Sequence, residues 1–111
     1  MALVMNSSVD GKTARITLAG ELDGNSAPAV RQTVDDVLKG APSRLVLSVA
    51  DLTFMASAGL RILIFAKQKQ PNLKIYIVKP QEPIVDTLKK TGFYQSVYIT
   101  ESEVVDQASA S

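Results

Sequence analysis

Ser57 lies in FMASAGLRILIFAK, residues 54–67, where small residues (Ala56, Ser57, Ala58, Gly59) give way to a block of large aliphatic ones. A hydroxyl at such a junction has two chemistries open to it. As the residue before a helix it can accept a hydrogen bond from an unpaired first-turn N–H, worth about 1 kcal/mol. As an exposed acceptor it can take a phosphoryl group, since a helix start offers free N–H groups and partial positive charge to a dianion. On residue types alone, capping is the commoner role.

The other groups able to do chemistry are Asp23 in GELDGN, Asp51 in DLTFMAS and Lys67. The chain has no histidine and no cysteine. That double absence removes Ser-His-Asp and Cys-His catalysis, thiolate nucleophiles, and zinc sites built from imidazole or thiolate. ASAGLR is not G-x-S-x-G, no G-x-x-x-x-G-K-[ST] occurs, and the glycines form no dinucleotide fingerprint. Asp35 with Asp36, and Glu101 with Glu103, read as solvated helix faces rather than catalytic pairs. The expectation is a protein that is not an enzyme and uses no cofactor or metal.

The elements that must position Ser57 and Asp23 follow from the apolar pattern. ALVMNSSVD and KTARITLA, residues 2–10 and 12–19, flank Asp10-Gly11-Lys12 and read as a hairpin. Ala14, Ile16 and Leu18 alternate with Thr13, Arg15 and Thr17, as in a strand with one covered face. GELDGN is a loop, and Asn25 or Ser26 can cap a helix carrying Pro28 in its first turn. That helix buries Val30, Val34, Val37 and Leu38 and stops near Gly40 and Pro42.

RLVLSVA (44–50) reads as a strand buried on both faces, followed by a loop from Asp51 to Ser57 and a helix from about Ala58 to Gln70. A strand over 73–78, a helix over 82–91 with Ile84, Val85 and Leu88 inward, and a strand over 96–100 complete the pattern. A short helix around Glu101–Asp106 can follow, and the tail frays from about residue 107. The order β-β-α-β-α-β-α-β implies an α/β fold, a small mixed sheet with helices packed on it. Loops leaving the carboxyl ends of such strands meet at one edge, which brings Asp23 toward Ser57.

The 111 residues amount to a single domain, 1–111, with 46% apolar and 21% charged residues. A net charge of +1 with scattered lysines gives no footprint for nucleic acid. No apolar run is long enough for membrane insertion and no leader pattern opens the chain, so a cytoplasmic location is expected. In the helix after Ser57, Leu60, Leu63 and Ile64 make a stripe for the sheet, while Ile62, Phe65 and Ala66 widen the apolar arc beyond it. The surplus is either covered by a neighbouring element or a docking surface.

GELDGNSAPAVRQTV followed by RLVLSVADLTFMASAGLRILI resembles the anti-sigma factor antagonists, the bacterial STAS domain, over nearly the full chain. The match is to G-x-[LI]-D, here Gly20 to Asp23, and to L-x-[FY]-[IM]-x-S-[AS]-G-L-[RG], here Leu52 to Arg61. The resemblance implies a STAS-like α/β fold and a switch: the unmodified protein binds an anti-sigma factor serine kinase and frees a sigma factor. Phosphorylation of Ser57 ends that binding, and a serine phosphatase restores it. It further implies a partner-binding face at Asp23, Ala56, Ser57, Ala58, Gly59, Leu60, Arg61, Ile62 and Phe65.

Many members of that family carry Asp where this chain has Ala56 and Ser48, so negative charge near the site is lost here. A second function fits the same resemblance: a non-phosphorylated STAS accessory subunit of a transporter ATPase or of a larger signalling assembly.

Overall fold

The computed structural model of the chain describes residues 3–101. Strand β1 (Val4–Asp10) and strand β2 (Thr13–Leu22) form the expected hairpin, antiparallel from Val4↔Ala19 to Asp10↔Thr13. Gly11 at the turn has φ +61°, a conformation that costs glycine nothing. Helix α1 (Ala27–Leu38) then buries Ala27, Val30, Val34 and Leu38, with Val37 half-buried beside them.

Strand β3 (Arg44–Met55), helix α2 (Ser57–Lys69), strand β4 (Lys74–Val78), helix α3 (Glu82–Lys90), a 3₁₀ turn (Phe93–Ser96) and strand β5 (Tyr98–Thr100) follow. The sheet order is β1-β2-β3-β4-β5, and every pairing after the hairpin is parallel. This is the mixed α/β sheet that the alternation of strands and helices implied. The 3₁₀ turn takes residues 93–96, so the last strand is shorter than the 96–100 expected. The helix expected around 101–106 and the tail from 107 fall outside the described residues, Glu101 excepted.

Ala14, Ile16 and Leu18 of β2, Leu45, Leu47 and Val49 of β3, and Ile75 and Ile77 of β4 share one core with the inner faces of α1 and α2 and with Ile84 and Leu88 of α3. Val46 and Val78 are buried on the opposite face, beside half-buried Tyr76. The central strands are thus covered on both faces, which is why RLVLSVA lacks alternation.

One boundary differs in a way that decides the site. DLTFM, expected as a loop, is strand: β3 runs on to Met55 and keeps pairing with β2, through Ala19↔Asp51, Gly20↔Leu52, Glu21↔Phe54 and Leu22↔Met55. Two register shifts absorb the mismatch, one between Thr17 and Ala19 and one between Gly20 and Glu21. Gly20 takes φ +101° there, and the Thr53 hydroxyl donates to the Gly20 carbonyl at 3.0 Å. Bulges of this kind let a ladder continue while breaking its period, so the polar Asp51 and Thr53 do not end the strand.

Candidate functional site

Because β2 and β3 run parallel and end together, the chain leaves Leu22 and Met55 side by side, and the Ala56 N–H donates to the Leu22 carbonyl at 2.8 Å. The segment that carries Asp23 and the residue that precedes Ser57 are therefore joined at one edge of the sheet. The predicted convergence of the two holds at the level of the backbone.

Asp23 is a local organiser. Its Oδ1 accepts from the Asn25 N–H at 3.0 Å and the Ser26 N–H at 3.0 Å and lies 3.1 Å from the Ser26 hydroxyl; the Asp23 N–H donates to Ser26 Oγ at 2.9 Å. The Ala27 N–H closes the loop on the Asp23 carbonyl at 2.9 Å. The Ser26 N–H, then the Ser26 hydroxyl, hold the Asp23 carboxyl below the usual carboxylate range. These bonds favour the ionised form and make Asp23 a poor proton acceptor near neutral pH. Ser26 occupies the cap position of α1, but its hydroxyl serves Asp23 rather than the helix. Sequence reasoning missed this pairing, although the Asp–x–x–Ser spacing carries the signal.

Helix α2 corrects the expectation at Ser57. Since β3 extends to Met55, the turn into the helix falls on Ala56, whose extended backbone (φ −77°, ψ 169°) occupies the cap position. Ser57 is the first helical residue, no side chain caps the helix, and among the described residues the exposed Ser57 hydroxyl has no hydrogen-bond partner. Capping does not consume it. The hydroxyl stands open to an incoming group, beside first-turn N–H groups that no side chain among the described residues satisfies.

Gly59, one of the small residues beside Ser57, is explained by what lies beneath it. A Cβ at that position would sit 2.7 Å from Met55 Cγ and 2.9 Å from Leu22 Cδ2, so the first turn of α2 rests directly on the Leu22–Met55 pair. Leu60, Ile62, Leu63 and Ala66 are buried. Ile64 is not: it is 41% exposed, contrary to the stripe assigned from the sequence. Helix α1 is the reason. It packs along α2 and covers the side that holds Ile62 and Ala66, which turns Ile64 outward.

The surplus apolar arc is thus largely internal. Of the residues expected to meet a partner, Gly59, Leu60 and Ile62 face inward, while Ser57 and Arg61 are exposed and Asp23, Ala56, Ala58 and Phe65 are half-buried. Phe65 is shielded by cations the sequence did not reveal, with the Arg31 guanidinium 4.4 Å and the Lys69 ammonium 5.6 Å from its ring centre. Lys69 also bonds Asp35 of α1 at 2.8 Å. Between the N-terminal halves of the two helices lies an open groove of about 310 Å³, bordered by Ala27, Pro28 and Arg31 on one side and Ala58, Arg61 and Ile62 on the other.

The remaining candidates do not join this site. Asp51 is exposed within β3 opposite Ala19, and the Lys67 ammonium, at the far end of α2, donates to the carbonyls of Pro71 (3.2 Å) and Leu73 (2.8 Å). Ser48 is buried in mid-strand, seven residues before Met55, which at about 3.3 Å per strand residue places it roughly 23 Å back along β3 from the strand's end. Of the two charges absent relative to the family pattern, only the one at Ala56 is local to Ser57. No group of three or more acidic, histidine or cysteine residues among the described residues could hold a metal, and no helix there is long and apolar enough to cross a membrane.

Comparison with known proteins extends this picture. A family model described as the STAS domain matches residues 5–108. A protein of Paenibacillus polymyxa named anti-sigma F factor antagonist is 29% identical over 94 residues, which cover 80% of this chain and 79% of that one. The crystal structure of an anti-sigma factor antagonist from Mycobacterium paratuberculosis superposes with a TM-score of 0.85 at 19% identity, covering 97% of this chain and 93% of the other. The Bacillus cell fate determinant SpoIIAA, solved in its phosphorylated form, gives a TM-score of 0.70 at 20% identity, covering 96% and 99%. At these identities the solved structures establish a common fold.

Proposed function

We propose a regulatory role for this chain, which belongs to the STAS domain family: it is an anti-sigma factor antagonist, switched by phosphorylation of Ser57. Unmodified, it binds an anti-sigma factor serine kinase through the exposed start of α2 and the adjoining β2–α1 loop; phosphorylated, it is released, and a serine phosphatase resets it. The observation that carries this reading is the Ser57 hydroxyl itself, exposed, unbonded among the described residues, and first in its helix. The names of the Paenibacillus and Mycobacterium relatives support the antagonist role, and the phosphorylated Bacillus structure supports a phosphate on this fold.

The energetics suit a switch. A phosphate at the first position of α2 keeps its favourable setting by the helix dipole, so the fold tolerates it. A partner seated over that surface must instead bury about two negative charges. A loss of about 4 kcal/mol, within reach of an unpaired buried charge, lowers affinity roughly a thousandfold.

The test uses a kinase-type anti-sigma factor from the same cell. Wild-type protein incubated with it and ATP gains one phosphate at Ser57; Ser57→Ala binds but gains none, and Ser57→Asp binds more weakly. Phosphorylation of Ser57→Ala to the wild-type extent would refute the site. Recovery from the native cell bound to a transporter ATPase, with Ser57 unmodified, would favour the accessory-subunit role.

A further inference from the structure

Arg61 stands four residues beyond Ser57 on the exposed side of α2, and among the described residues its guanidinium has no ion pair, hydrogen bond or ring contact. Its neighbours are committed. Arg31 lies over Phe65, Lys69 is paired with Asp35, and Lys67 is bound to two backbone carbonyls. Among the described residues no carboxylate borders the groove that Arg61 shares with Arg31, and Asp23 in the adjoining loop has its Oδ1 filled by Asn25 and Ser26. Among the described residues, then, Arg61 is a cation without a counter-ion.

Helical side chains lean toward the N-terminus, so a long residue covers the turn before its own Cα. Arg61 borders the groove together with Ala58 of the first turn. Residues four apart on a helix are surface neighbours, and the guanidinium fork matches phosphate geometry.

We propose that Arg61 is the internal receptor of the phosphate on Ser57: once modified, Ser57 and Arg61 form a charge-assisted pair along α2. The inference rests on Ser57 being the phosphoacceptor. One modification then changes two surface groups, because Ser57 gains charge while Arg61 is withdrawn from any partner carboxylate it met before.

The experiment installs phosphoserine at position 57 during synthesis, so no kinase is needed, and follows the phosphate by ³¹P NMR as pH is varied. A free phosphoserine has its second pKa near 6, and pairing with Arg61 lowers it. The expected midpoint is roughly 0.3 pH unit lower with Arg61 present than in Arg61→Gln, with Arg61→Lys retaining part of the shift. Thermal melting of unphosphorylated Arg61→Gln, expected to match wild type, verifies its fold. Identical midpoints in the Arg61 protein and Arg61→Gln would overturn the pairing while leaving Ser57 as acceptor. Failure of any kinase to modify Ser57 would instead refute the switch while leaving the measured pairing intact.

Discussion

Asp23 and Ser26 hold each other by reciprocal hydrogen bonds, the Asp23 N–H donating to Ser26 Oγ at 2.9 Å and the Ser26 N–H to Asp23 Oδ1 at 3.0 Å. The pair fixes the path from β2 into α1 and so the edge at which Ser57 is presented. Asp23→Ala is expected to lower the melting temperature through this loop, whether or not Asp23 also touches a partner. The pH dependence identifies the source. The folded-state pKa of Asp23 lies below its unfolded value, so its contribution is complete above the unfolded value and is lost as pH falls through the folded one. The gap between wild type and Asp23→Ala, widest near neutral pH, therefore narrows below about pH 4; a gap that stays constant into acid would exclude the carboxylate.

Gly59 gives a second prediction. Alanine there gains up to about 1 kcal/mol of helix propensity, but its methyl would press on Met55 Cγ and Leu22 Cδ2, and such overpacking costs about 1–3 kcal/mol. The contact wins, and Gly59→Ala should destabilise by about 1 kcal/mol in denaturant titration. Truncating Met55 to Ala removes the nearer obstacle, so the Gly59→Ala penalty should shrink or reverse in that background. Simple additivity of the two substitutions would show that the contact with Met55 is not the cause.

The fold was readable wherever one element decides its own pattern. Ala14, Ile16 and Leu18 alternate because one face of β2 is covered, and Val30 and Val34 recur because one side of α1 is. Misreadings occurred where a neighbour decides. Asp51 and Thr53 look like loop residues in isolation, yet β2 supplies a bulged ladder that keeps them in β3. That extension moved the helix cap from Ser57 to Ala56 and freed the hydroxyl. The inward side of α2 depends on where α1 lies, which no helical wheel contains, so Ile64 and Ile62 exchanged roles. The approach of the Asp23 and Ser57 segments at one sheet edge was legible from the order of strands and helices; Arg31 over Phe65 is a contact between two helices and leaves no local trace.

The rotated helix face is directly testable. Ile64→Lys changes an exposed position and should alter stability by less than about 0.5 kcal/mol, whereas Ile62→Lys, at a position 4% exposed, should cost roughly 3 kcal/mol or more by forcing an ammonium into the core. Chemical denaturation of the two variants decides it, and equal effects would contradict the packing of α1 on α2. Ile64 lies seven residues beyond Ser57 and so on the same helix side. If the proposed kinase partner covers that side, Ile64→Lys should also weaken binding while leaving the fold intact.

Ala56 is the position at which this chain leaves stability unclaimed. Its extended backbone is that of a helix cap, its methyl accepts no hydrogen bond, and the first turn of α2 contains no acidic residue. Replacing it with Asp supplies an acceptor for the first-turn N–H groups and a negative charge at the positive end of the helix, together worth about 1 kcal/mol. Ala56→Asp should therefore raise the denaturation midpoint at neutral pH, and the gain should fade as acid protonates the new carboxylate. The same charge would repel a phosphate on Ser57, so phosphorylated Ala56→Asp should gain less stability than the unmodified variant. An equal gain in both forms would mean that the carboxylate and the phosphate do not share the helix start, and that Ala56 is neutral toward modification at Ser57.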